Sequence, residues 1–372
     1  MNNQLPNPQV PQLPNAPKIL LVRLREIGDV VFTTAIVRGL RHHYPDAFIS
    51  YIVEPLAAPV IASNPHLDEV IVAPRAHLWS DLALGQRLRR VGYDLAIDLH
   101  SGPRASLLTW LSGAPERIGY NVAGRGWMYT RRIDRPRQLR RRHSVDNQWD
   151  LLEVLDIERP TPERYPVEMP VDPNAVEEVA RRLAAAGVAP ADRVVVLHVS
   201  AGNPFRRWPI ESFGRVAASL VSKNDRTRIV VTSGPSEAAA ASKVIAEARR
   251  RLSAGQDRGV IDCGDFSLVE LRALVERAAL YIGGDSGPMH IAATSRVPMV
   301  SLYGPTLPAR SAPWRSAEWR AIAVEVDGLE CRPCDQRRCT PGDFRCLGWL
   351  RPEQVIDAAA QLLAARNDST DC

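Results

Sequence analysis

Short apolar runs alternate with stretches of helical periodicity along most of the chain. Residues 19–24 (ILLVRL) read as a strand buried on both faces. In the following stretch 29–44, Val30, Thr34, Val37 and Arg41 recur at helical spacing, and the apolar side is broad enough for a buried helix. Residues 48–53 (FISYIV), 69–73 (EVIVA) and 95–100 (LAIDLH) continue the strands, and the helical patterns between several of them predict a parallel sheet. The pattern stops at 156–174, where Pro160, Pro162, Pro166, Pro170 and Pro173 fall at a density that neither a helix interior nor a central strand tolerates. It then restarts. Residues 193–200, 228–234, 259–264, 280–284 and 299–304 are strand candidates, and helices fit at 210–222, 236–252, 268–278 and 288–295. The expected fold class is α/β, with two Rossmann-like, doubly wound domains facing across a cleft. The expected division is a proline-rich tail at 1–17, a first domain at 18–160, a linker at 161–174 and a second domain at 175–372.

The length of 372 residues agrees with two domains, since it exceeds what a single core usually supports. With 45% hydrophobic and 24% charged residues, the composition is that of a soluble globular protein. The first 17 residues hold five prolines and no charge, unlike a signal peptide, and no apolar run is long enough to span a membrane. A cytoplasmic location is therefore expected, where disulfides are not. The net charge of +5 is unevenly placed. In the stretch 131–142, Arg131, Arg132, Arg135, Arg137, Arg140, Arg141 and Arg142 stand against a single acid, Asp134. Such a run suits nucleic acid, anionic lipid or a phosphorylated substrate, and equally a solvated loop with no partner.

Three loops at predicted strand ends carry candidate chemistry, and in open α/β sheets ligands bind beyond the carboxyl ends of the strands. Gly28 and Asp29 lie between the first strand and the first helix. In 198–209 (HVSAGNPFRRWP), Ser200, Gly202 and Asn203 precede Arg206 and Arg207, and a guanidinium beside a helix start forms an anion site. In 280–292 (LYIGGDSGPMHIA), Asp285, Ser286 and Gly287 stand where a buried strand turns into a helix. Ordinary helix capping is the competing reading for Asp29, Asp285 and Ser286. Neither half shows a G-x-G-x-x-G after a strand, no Walker-type G-x-x-x-x-G-K-[ST] is present, and the eight histidines suggest no metal triad with carboxylates.

Taken in order, KILLVRLREIGDVVFTTAIVRGLRHHYP, RRWPIESF, GGDSGPMHIAA and SLYGPT resemble glycosyltransferase family 9, which contains the ADP-heptose:lipopolysaccharide heptosyltransferases. The resemblance runs from Lys18 to about Leu363. It implies a GT-B fold, with an amino-terminal acceptor domain and a carboxy-terminal nucleotide-sugar domain. It also implies single-displacement transfer with inversion, needing no cofactor and no metal. Asp29 matches the family's catalytic base. Arg206 stands two residues before the tryptophan of a K-x-W-P motif, where the family usually has a phosphate-binding lysine. Arginine keeps the charge but offers a forked donor set. Glu237 matches the acid that meets the nucleotide ribose, and Asp285, Ser286 and Gly287 match the turn that holds diphosphate and sugar. Ser200 and Asn203 belong to the same donor loops, and His290, on the helix after the turn, is either a ligand contact or a packing residue. The implied partners are a nucleotide-sugar donor and a phosphorylated, lipid-linked glycan acceptor, with no nucleic acid. Residues 131–142 would then face that acceptor or the anionic inner leaflet, making the enzyme peripheral on the inner membrane.

Cys331, Cys334, Cys339 and Cys346 form C-x2-C-x4-C-x6-C, a spacing open to zinc, to a redox-labile pair or to reduced thiols. Related family members carry a similar cluster with no role in transfer. Its distance in sequence from all three loops, with no paired histidine nearby, predicts that it is not catalytic. A family member using another nucleotide sugar or acceptor is the alternative enzyme, and a basic, zinc-containing nucleic-acid-binding protein is the alternative from another class. The ordered α/β loops argue against the latter, which has no need of them.

Overall fold

The computed structural model describes residues 10–75, 77–135 and 141–367. The chain divides into two units, one ending at Val167 and the other beginning at Glu168. That division lies within the proline-rich stretch.

The amino-terminal unit holds β1 (Lys18–Val22), β2 (Phe48–Val53), β3 (Glu69–Val72), β4 (Leu95–Asp98), β5 (Glu116–Tyr120) and β6 (Arg131–Ile133). They pair in the order β3-β2-β1-β4-β5-β6, and every pairing is parallel. Ile19, Leu20, Leu21 and Val22 of β1 are fully buried, as a central strand covered on both faces requires. The helix Ile27–His43 buries Val30, Val31, Ile36, Val37 and Leu40. Gly39 on that helix is held to glycine by Trp149, whose ring would clash with an added Cβ.

The carboxy-terminal unit holds β7 (Arg193–His198), β8 (Thr227–Thr232), β9 (Val260–Ile261), β10 (Leu280–Gly284), β11 (Met299–Tyr303) and β12 (Ala321–Glu325). Its order is β12-β11-β10-β7-β8-β9, again all parallel. Read from the other edge, this is the same 3-2-1-4-5-6 winding as in the first unit. The helices Ile210–Lys223, Ala238–Arg250 and Pro352–Asn367 contribute Phe213, Val216, Val244, Val355 and Ala359 to one core over this sheet. In such winding the chain reverses direction beside the first strand, and a crevice opens there. The two crevices lie between the ends of β1 and β4 and between the ends of β7 and β10.

Several strands end one or two residues before the expected boundary. The loops begin at Arg23, Leu99 and Val199, so the polar ends of 19–24, 95–100 and 193–200 belong to crevices and not to the sheets. The stretch 259–264 supplies only two strand residues, and the helix expected at 288–295 is Gly287–Ala292, six residues long. The basic run begins with the edge strand β6. Arg131 pairs with Glu116 at 3.0 Å, Arg142 with Asp150 at 2.9 Å, and Arg135 stacks over Tyr120. Arg137 and Arg140 lie outside the described residues. Among the described residues, no helix is long and apolar enough to cross a membrane.

Candidate active site

At the β7–β10 crevice the turn after β10 does not cap its helix. Ser286 occupies the cap position, yet its side chain makes no capping hydrogen bond, and its buried Oγ has no protein partner among the described residues. Asp285 is also turned elsewhere. Its Oδ2 accepts from Thr306 Oγ1 at 2.5 Å and lies 3.4 Å from Arg206 Nη1, while Oδ1 lies 3.4 Å from His290 Nε2. Burial pushes this carboxyl up. The His290 hydrogen bond, the Arg206 charge and the Thr306 hydroxyl together outweigh burial and bring it to about 2. Asp285 is thus a buried carboxylate that gathers a cation, an imidazole and a hydroxyl around the turn. Gly287 opens the short helix, and a six-residue helix supplies little macrodipole, so the local positive charge comes chiefly from Arg206.

Arg206 reaches the turn because Trp208 anchors the loop from behind. The Trp208 indole is 4% exposed, packs on Phe213 and donates to the Leu350 carbonyl at 3.1 Å. With the tryptophan inside, Arg206 and Arg207 are left at the crevice. Arg206 Nη1 donates to the Asp285 carbonyl at 3.1 Å, and Nε donates to Gln336 Oε1 at 2.8 Å. Arg207 Nη2 pairs with Glu237 at 2.7 Å and its Nε donates to the Ala201 carbonyl at 2.9 Å, so it holds the acid of the β8 loop.

Two of the sequence candidates are engaged within the protein. Ser200 Oγ accepts from Gly234 N–H at 2.8 Å and lies 3.2 Å from His198 Nε2. Asn203 Oδ1 accepts from Phe205 N–H at 3.0 Å, and its Nδ2 donates to Gln336 at 2.9 Å. Both shape the loop. His198, whose other ring nitrogen is 3.0 Å from Thr232 Oγ1, is lowered from 6.5 to about 4 by burial. The unfolded chain therefore binds a proton between these values that the folded chain refuses. The His198 contribution is fully present above about pH 6.5 and is lost as pH falls towards 4. Urea midpoints measured across that window should fall for the wild type, with His198 contributing up to about 1.4 kcal/mol per pH unit. His198→Gln, which keeps a donor and an acceptor, should show a shallower dependence. An unchanged slope would mean that His198 is not buried in its neutral form.

The cysteine segment, distant in sequence from these loops, lies beside two of them in the fold. Cys331, Cys334, Cys339 and Cys346 line a cavity of about 30 Å³ together with Phe205 and Phe344. Phe344 packs on Phe205 with ring centroids 5.2 Å apart, and Arg332 donates to the Thr306 carbonyl at 2.6 Å. The segment is therefore folded against the loops that follow β7 and β11. Cys334 Sγ accepts from Gln336 N–H at 3.2 Å and Cys339 Sγ from Phe344 N–H at 3.4 Å. Among the described residues, no group of three or more histidines, cysteines or acids is arranged to hold a metal ion.

In the β1–β4 crevice Asp29 lies in the first turn of its helix, whose cap position is Glu26 with a φ of 68°. Asp29 does not cap; its Oδ2 forms an ion pair with Arg23 Nη2. Arg23 is 8% exposed, and its Nη1 donates to the Leu99 carbonyl at 2.6 Å, tying the end of β1 to that of β4. His100 follows on β4 and is lowered to about 4 by burial and by the charges of Arg23 and Arg25, with Asp29 and Glu54 opposing. The loop it starts is fixed by buried Asp98, which accepts from the His100 and Ser101 N–H groups at 2.9 and 2.7 Å and from Tyr129 at 2.6 Å. Asp29 thus sits among basic residues and a neutral imidazole, half-buried and held by an arginine.

Sequence reasoning missed Arg23, Thr306, Arg207 as the partner of Glu237, and Gln336. Arg23 gave a signal, as an arginine inside an apolar strand run. The others reach the site only through tertiary contacts.

Residues 82–344 match "Glycosyltransferase family 9 (heptosyltransferase)". Asp29 lies before that span. The chain is 28% identical over 357 residues to lipopolysaccharide heptosyltransferase 3 of Escherichia coli strain K12, covering 94% of this chain and 98% of that protein. The glycosyl transferase family 9 structure from Veillonella parvula DSM 2008 superposes with a TM-score of 0.77 at 25% identity, covering 95% of this chain and all of that one (100%). The E. coli ADP-heptose lps heptosyltransferase II structure gives a TM-score of 0.77 at 20% identity, covering 94% and 99% of the two chains.

Proposed function

This chain belongs to glycosyltransferase family 9, the heptosyltransferase family, and from that premise we propose that it transfers a heptose from ADP-heptose to a hydroxyl of a lipopolysaccharide inner-core acceptor. The curated relative that matches 94% of the chain is a lipopolysaccharide heptosyltransferase, which supports the sugar and the acceptor class. The ADP moiety rests on the name of a fold neighbour and on the chemistry of the crevice. One observation carries the reading. At the end of β10 a serine hydroxyl without a protein partner among the described residues stands next in sequence to a buried carboxylate that holds a guanidinium, groups that suit an anionic diphosphate.

In this reading the donor is held by the carboxy-terminal unit, with Arg206 and Ser286 on the diphosphate and Glu237 on the ribose. Asp285 and His290 set the turn around the sugar. The acceptor belongs to the amino-terminal unit. Its hydroxyl oxygen attacks the anomeric carbon as the bond to the diphosphate oxygen breaks, and configuration inverts. The electron pair of that bond leaves with ADP, and the hydroxyl proton passes to Asp29. Charge grows on the departing diphosphate, where Arg206 stabilises it more in the transition state than in the ground state. In this reading Arg132 and Arg141, both exposed, serve the phosphorylated acceptor or the anionic leaflet.

The test is a panel of nucleotide sugars. ADP-heptose should bind more tightly than UDP- and GDP-sugars and should alone support transfer to inner-core lipopolysaccharide lacking that heptose. Preference for a UDP- or GDP-sugar would assign the chain to another specificity within the family.

A further inference from the structure

Gln336 lies in the cysteine-rich segment, 130 residues from Arg206 in sequence, yet its Oε1 accepts both from Arg206 Nε at 2.8 Å and from Asn203 Nδ2 at 2.9 Å. Together with the bonds of Nη1 to Asp285, this fixes two of the three guanidinium nitrogens. Nη2 has no protein acceptor among the described residues, and the side chain remains 30% exposed. A guanidinium held in this way presents one edge to an incoming anion without having to be ordered first.

The backbone at Gln336 adds a second observation. Its φ is 60°, a left-handed conformation that is strained for a residue with a Cβ. Glycine would be the easier residue at this place. Its replacement by a long amide therefore keeps a side chain where local stability favours none, and strain of this kind gathers at functional sites. The surroundings support the residue: its own N–H donates to Cys334 Sγ at 3.2 Å, and Cys334 N–H donates to the Pro305 carbonyl at 3.0 Å, one residue before the Thr306 that binds Asp285.

We propose that Gln336 is a positioning residue for the donor diphosphate, aiming Arg206 from the cysteine-rich segment. The inference rests on the reading of Arg206 as a diphosphate ligand. It gives that segment a role in donor binding without a chemical step of its own.

ADP affinity measured by calorimetry on Gln336→Gly, Arg206→Ala and the double variant tests it. Gln336→Gly relieves the strained backbone, so its melting temperature should equal or exceed that of the wild type. Its Kd for ADP should nevertheless rise about 3- to 10-fold, the range of a lost hydrogen bond. Gln336→Met, which keeps the length and removes the acceptor, should show the same loss. The double variant should bind ADP no worse than Arg206→Ala, because a residue that acts through Arg206 has no effect without it. Wild-type affinity in both Gln336 variants, or a loss that adds in full to that of Arg206→Ala, would overturn the proposal while leaving the donor site intact. Unchanged affinity in Arg206→Ala itself would remove the donor reading, and Gln336 would then have no anion ligand to aim.

Discussion

Purified Asp29→Asn protein is expected to fold, to bind ADP as the wild type does, and to lose about 10²–10⁴-fold in turnover, the usual contribution of a positioned general base. The structure sharpens this expectation. Asp29 makes no cap, so the substitution removes none, and asparagine caps well in any case. The ion pair with Arg23 becomes a hydrogen bond, because the asparagine oxygen still accepts from Nη2. What disappears is the capacity to take the acceptor proton. The acceptor hydroxyl is too weak an acid to be deprotonated in advance by a carboxylate, so proton transfer must accompany attack. Single-turnover rates with saturating donor and acceptor would isolate this step from binding. Transfer at near the wild-type rate would mean that the base lies elsewhere.

Arg206→Ala should weaken ADP binding by about 10- to 150-fold, which corresponds to losing a charge-assisted contact of about 1.5–3 kcal/mol. Turnover should fall as well, since on the proposed reading the same guanidinium meets the charge that develops on the leaving diphosphate. Arg206→Lys tells the charge from the fork. Lysine restores the cation that the family usually carries, but one ammonium cannot reproduce the Nε bond to Gln336 together with the paired Nη1 bonds to Asp285. Affinity should therefore recover in part, leaving a residual loss of a few-fold. Full recovery would assign the role to charge alone. A melting curve is needed beside each measurement, because Asp285 is only 3% exposed and loses a counter-charge in the alanine variant.

Much of the fold was legible because hydrophobic runs mark strands buried on both faces. The runs at 48–53 and 280–284 coincide with β2 and β10. The strands that escaped notice, β5, β6 and β12, are short and lie at or next to a sheet edge. There charged residues such as Glu116, Arg131 and Glu325 replace the apolar pattern. The candidate site divides in the same way. Asp29, Arg206 and Asp285 stood out because each lies where a strand gives way to the next helix. Ser200 and Asn203 stood out for the same reason, but their polar groups hold the loop together. Local sequence does not tell a hydroxyl turned to a ligand from one turned to a neighbouring backbone. Thr306 and Gln336 were invisible because their partners are 21 and 130 residues away. The basic run looked like a charged surface, but its content of ion pairs depends on Glu116 and Asp150, which no periodicity connects to it.

Both sheets wind in the same order, so corresponding loops occupy corresponding addresses. Each address pairs an arginine with an aspartate, but by different routes. In the first unit Arg23 comes from the loop after the first strand and Asp29 from the first turn of the helix that follows it; in the second, Arg206 comes from the segment after the first strand and Asp285 from the turn after the fourth. Every residue of either constellation is thus supplied by its own half. On the reading proposed above, a change of acceptor then asks for changes in the amino-terminal half alone, while the nucleotide machinery of the other half is inherited as it is.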